Sequence, residues 1–81
     1  MDALVWVKEY KVSTSIGDFK LFVAEHKGVG FYSSVLYLHK DANGSELKLE
    51  KRFDLTEAGA FAAIKQWVDS SFPSALITLS K

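Results

Sequence analysis

The sequence predicts an α+β fold, a four-stranded antiparallel β-sheet (meander) with one C-terminal α-helix packed on one face. Three observations carry that expectation. Four β-prone runs at 4–12, 18–26, 30–40 and 45–54 are separated by short turn sequences. The period then changes, with Ala60, Phe61, Ile64, Trp67, Val68 and Phe72 recurring at helical spacing over 55–72. The chain has 81 residues, enough for a single domain, 1–81, with one core.

The first run, LVWVKEYKV, places Leu4, Trp6, Tyr10 and Val12 on one side and Val5 and Val7 on the other. A turn at STSIGD leads to DFKLFVAEH, whose Phe19, Leu21 and Val23 share a face and leave Lys20, Phe22, Ala24 and His26 opposite. KGVG supplies the next turn. The third run, GFYSSVLYLHK, is apolar on both sides: Phe31, Val35 and Tyr37 on one, Tyr32, Leu36 and Leu38 on the other.

The register of the next hairpin follows from DANG at 41–44. Asp at its first position and Gly at its fourth predict a type I turn with a glycine bulge, setting Asp41 opposite Ser45 and Tyr37 opposite Leu49. Leu47, Leu49 and Phe53 of the fourth run then point inward with Phe31, Val35 and Tyr37, and Glu46, Lys48, Glu50 and Arg52 point outward. A two-residue turn at Asn43–Gly44 would exchange the faces.

DLTE at 54–57 predicts a capping box, with Asp54 at the N-cap and Glu57 at the third helical position. Pro73 ends the helix. The last segment, 75–80, is β-prone. Three placements stay open for it: a short fifth strand, an arm exchanged with a second copy, or a cover over part of the sheet's second face.

The composition, 48% hydrophobic and 25% charged, is that of a folded globular chain. Ten basic residues balance ten acidic ones, so no overall field attracts nucleic acid, anionic lipid or acidic substrates. The absence of cysteine excludes disulfides, thiolate catalysis and cysteine-ligated metal sites. An acid at position 2 and charges at 8 and 9 do not fit a signal peptide, and no apolar run reaches the roughly 20 residues that span a bilayer. A cytoplasmic protein with no membrane contact is expected.

Catalytic and metal signatures are not visible. His26 and His39 lie near strand ends, with Glu25 and Asp41 close in sequence but without diagnostic ligand spacing. Gly28 and Gly30 precede a strand rather than a helix, so they predict a turn rather than a phosphate loop. Ser33 and Ser34 carry no nucleophile-elbow pattern. The expectation is a protein that is not an enzyme and needs no cofactor or metal.

The second face of the sheet is the candidate site. With the helix over Trp6, Phe19, Leu21, Tyr37 and Leu49, the residues Val5, Val7, Phe22, Ala24, Tyr32, Leu36 and Leu38 form an apolar centre. Lys20, Lys48 and Arg52, with Lys11, Glu9, Glu46 and Glu50, form a polar rim. Such a face predicts a homodimer or a protein partner.

The segment VLYLHKDANGSELKLEKRFDLTEAGAFAAIKQWV has the strand, turn, strand, capped-helix order of the positive-cofactor and whirly transcriptional coactivators, and it resembles them in that order alone. The resemblance implies binding of single-stranded nucleic acid, by stacking on Phe22 or Tyr32 and phosphate contacts from Lys20, Lys48 and Arg52. The element order is also similar to that of some small phage anti-CRISPR proteins, which implies occupation of a protein partner's surface. Net neutrality and the interleaved acids favour the protein-interaction reading, with nucleic acid second.

Overall fold

The computed structural model describes residues 4–80, and for Leu4, Trp6 and Val7 it describes the backbone alone. The elements run β1 (Leu4–Thr14), β2 (Gly17–His26), β3 (Gly30–Asp41), β4 (Gly44–Asp54), α1 (Glu57–Ser71) and β5 (Leu76–Leu79). They form one sheet of order β4-β3-β2-β1-β5, antiparallel throughout. The predicted meander with one C-terminal helix is the observed architecture. The tail settles as a fifth strand on the free edge of β1, with Val12 opposite Ile77 and Tyr10 opposite Leu79. It therefore neither crosses the second face nor extends as an arm, because β1 offers it a row of backbone donors and acceptors.

One face of the sheet carries the core. Val12, Leu21, Val23 and Val35 are buried there against Ile64 and Val68 of α1. Phe31, Tyr37 and Phe19 pack beside them, as the sequence indicates. Aromatic contacts surround this centre: Tyr10 meets Phe61 with ring centroids 4.7 Å apart, Tyr37 meets Trp67 at 5.1 Å, and Phe19 meets Phe72 at 5.1 Å. The buried Ser33 hydroxyl donates to the Ala60 carbonyl at 2.7 Å, tying β3 to α1 where a free hydroxyl would be costly.

The helix begins two residues later than DLTE suggests, with Glu57 at its first position rather than its third. Asp54 stays extended because it still pairs with Phe31, so Thr56 becomes the N-cap and its hydroxyl accepts from the Gly59 amide at 3.0 Å. Asp54 supports the cap from outside, its carboxylate accepting from the Thr56 amide and hydroxyl at 3.0 Å each. The backbone hydrogen bond from Thr56 holds the Asp54 carboxyl below its usual range. Glu57, in the first turn, pairs with Lys8 of β1 at 3.1 Å; that hydrogen bond raises the Lys8 ammonium above its ordinary value.

The β3–β4 hairpin departs from the expected bulge. Asp41 pairs with Gly44, and Ala42 and Asn43 form a two-residue turn closed by an Asn43 amide donating to the Asp41 carboxylate at 2.8 Å. Tyr37 consequently faces Lys48 rather than Leu49, and Leu36 faces Leu49. Phe31, Val35 and Tyr37 remain under the helix, while the alternation of β4 is inverted. Leu47, Leu49 and Phe53 turn away from α1, and Lys48, Glu50 and Arg52 lie on the helix side, where Arg52 pairs with Glu50 at 2.7 Å.

A second irregularity lies in β1. The pairing of β1 with β2 slips between Trp6 and Lys8, leaving Val7 as the extra residue. Val5 therefore pairs with Glu25, which is opposite Phe31, and belongs to the helix side rather than the second face. Trp6 pairs through its backbone with Ala24. The side chains of Trp6 and Val7, expected under the helix and on the second face respectively, lie outside the described residues.

Candidate functional site

The side of the sheet away from α1, hereafter the outer face, is assembled by the inverted register. Leu38 stands opposite Leu47, Leu36 opposite Leu49 and Tyr32 opposite Phe53 across the β3–β4 ladder. All six are exposed, with Leu47 at 66%, Leu49 at 54% and Leu36 at 48%. Together they present roughly 500–600 Å² of side-chain surface, the upper end of what a soluble monomer leaves uncovered. Phe22 and Ala24 of β2, half-buried, continue the patch inward. The Tyr32 and Phe53 rings are 4.9 Å apart, which fixes the aromatic end.

Two features explain why the face stays open. The 15 residues of α1 reach about 22 Å, against about 33–40 Å for strands of 10–12 residues, and the helix lies entirely on the other face. The fifth strand widens the sheet instead of covering it.

Several residues expected at the site are not brought together. Tyr32, Leu36, Leu38, Phe22 and Lys20 share the outer face, but Lys48 and Arg52 lie on the helix side and Val5 follows them. Lys20 is paired with Glu9 at 3.5 Å, and Lys11 with Asp18 at 3.5 Å. The stacking rings Phe22 and Tyr32 thus share their face with one of the three cations named for a phosphate grip. Leu47, Leu49 and Phe53 are the outer-face residues that the sequence reading placed in the core. The signal for them is the turn: closing DANG on two residues brings four leucines into facing pairs.

Chemistry at other places is sparse. His26 pairs with Gly30 and His39 with Glu46, at opposite ends of β3 and so about 30 Å apart. His39 lies 3.8 Å from Asp41. Among the described residues no three His, Asp or Glu side chains converge as metal ligands. A shallow cleft of about 280 Å³ lies at the β1–β2 turn end, lined by Thr14, Phe19, Tyr37, Leu47 and Phe72, with Asp18 as its carboxylate. No helix among the described residues is long and apolar enough to cross a membrane.

No protein-family model matches the chain, and searches of the curated proteins and of the solved structures return no match.

Proposed function

We propose that the protein is a non-catalytic interaction module that contacts another protein surface, its own or a partner's, through the outer face of its sheet. A regulatory or inhibitory role, exercised by occupying a surface, is in keeping with that. The observation that carries it is the alignment of Leu36, Leu38, Leu47 and Leu49 with Tyr32 and Phe53 on a face that no element among the described residues covers. Apolar area of this extent favours association at roughly 25 cal/mol for each Å² removed from water, before the cost of immobilising two bodies. The rim is polar and includes the Glu9–Lys20 and Lys11–Asp18 pairs, the arrangement of a contact surface with a dry centre.

The same geometry is less suited to single-stranded nucleic acid. Stacking on Phe22 and Tyr32 needs cations beside the rings; Lys48 and Arg52 point to the far side of the sheet, which leaves Lys51 and the Glu9-paired Lys20 on the rings' face.

Sedimentation velocity at tens of micromolar tests the reading. The wild-type chain is expected to show species above monomer mass. Leu36→Asp and Phe22→Asp are expected to lower the mass of the largest species and raise the solubility limit, with the far-UV spectrum unchanged. A wild-type chain that stays monomeric, and whose solubility neither substitution alters, overturns the proposal.

A further inference from the structure

We propose that β4 pairs antiparallel with β4 of a second copy, Leu49 opposite Leu49, joining two five-stranded sheets into one of ten strands. The inference rests on the reading above that the protein works through contacts with other chains, and it names one of those contacts.

The edge itself is the first argument. β4 is 11 residues long and among the described residues pairs with β3 alone, so its other side presents a row of backbone donors and acceptors. Proline and bulges are missing from it, and the device it does carry against strand pairing is charge, at Glu46, Lys48, Glu50, Lys51 and Arg52. The opposite edge is partly closed by the four residues of β5.

Charge supplies the occupant. Along the helix side of β4 the sequence reads Glu46, Lys48, Glu50, Arg52, alternating in sign. Running the same strand backwards about Leu49 sets Glu46 against Arg52 and Lys48 against Glu50. Both pairs occur twice by symmetry, and none joins like charges. Centring on Lys48 or Glu50 opposes like charges, centring on Lys51 sets two ammonium groups face to face, and centring on Leu47 pairs fewer residues. A strand complementary to its own reverse fits a second copy of this chain.

Backbone direction agrees. The two-residue turn closes on Asp41 and Gly44, so alternate residues from Gly44 to Asp54 turn their amides toward β3, and Leu47, Leu49 and Lys51 turn theirs to the open edge. The Lys51 carbonyl, turned to that edge, accepts from the Arg52 guanidinium at 2.6 Å, a bond that the Leu47 amide of the second copy has to replace. A symmetric pair at Leu49 is thus of the hydrogen-bonded kind. The joined sheet also makes the two outer faces continuous through Leu47 and Leu49 of both copies.

Charge exchange tests the pairing. Glu46→Arg sets Arg against Arg52, and Arg52→Glu sets Glu against Glu46; each alone is expected to weaken dimerisation about tenfold or more in sedimentation equilibrium at low salt. The double variant is expected to restore the dimer, and an equimolar mixture of the two single variants to form a heterodimer. Should Arg52→Glu disturb the fold through loss of its Glu50 partner, Glu46→Arg, at an exposed position, still decides the point. A monomeric wild type, or a dimer indifferent to both single variants, overturns the pairing. A dimer that responds to Leu36→Asp but to neither charge variant keeps the outer-face reading and rejects the β4 pairing. A dimer that responds to the charge variants alone supports the pairing.

Discussion

Ile64→Ala is expected to cost about 2–5 kcal/mol of folding free energy, whereas Leu49→Ala costs less than about 1 kcal/mol. Ile64 is fully buried at the centre of α1, within the cluster of Val12, Leu21, Val23, Val35 and Val68. Removing its three outer carbons loses their transfer free energy and leaves a cavity that the flanking valines, fixed in the sheet, fill poorly. A domain of this size has about 4–12 kcal/mol in total, so the loss is a large fraction, and the melting temperature falls by roughly 10 °C or more. Leu49 is already half in water, so little burial is lost with it. Urea unfolding of the two variants compares them directly. Equal losses would mean that Leu49 belongs to the core and that the register of β4 is the bulged one.

Gly30→Ala is expected to cost about 1–3 kcal/mol. Gly30 begins β3 with φ near +157°, and a Cβ there would lie 2.6 Å from the Phe53 ring and 2.7 Å from the Asp54 carbonyl. The ring can rotate aside. The carbonyl cannot, because Asp54 is paired with Phe31 and its carboxylate bonds Thr56, the helix cap. The strain therefore passes from the sheet edge into the start of α1. Chemical denaturation of Gly30→Ala in the wild-type and Phe53→Ala backgrounds separates the two contacts. A penalty that persists without the ring identifies the backbone contact as the cause, and a penalty that vanishes rejects it.

The element order was legible because β-prone runs and turn residues alternate along the chain until the period changes at the helix. Val12, Leu21, Val23, Ile64 and Val68 share faces with the other apolar residues of their segments, and with Val35, from a strand apolar on both sides, they form the core. What the sequence left ambiguous was settled by contacts of one or two atoms. DANG favours the bulged turn in residue type, with a tight turn at Asn43–Gly44 as the alternative; the chain takes neither and turns on Ala42 and Asn43, held by the Asn43–Asp41 bond. The slip at Val7 has no signature, since Val5, Trp6 and Val7 are apolar whichever side they take. Asp54 and Thr56 are both good caps, and the choice between them depends on how far the β3–β4 ladder runs.

The misreading of β4 has a further cause. Its clean alternation predicts the apolar side inward, the rule for a strand with one wet face. On this edge strand the helix side is lined by Lys48, Glu50 and Arg52 and contributes nothing to the buried core. The leucines lie outside, beside those of β3, so the candidate site is larger than the sequence suggested and is centred one strand nearer the edge.

Where contact occurs can be read from a dilution series of methyl and amide NMR spectra between about 500 and 20 μM. The account predicts concentration-dependent shifts at the Leu36, Leu38, Leu47 and Leu49 methyls and along the β4 amides, with the exposed helix residues Ala58, Ala62 and Gln66 unmoved. Shifts confined to Ala58, Ala62 and Gln66, or none at any concentration, would contradict it.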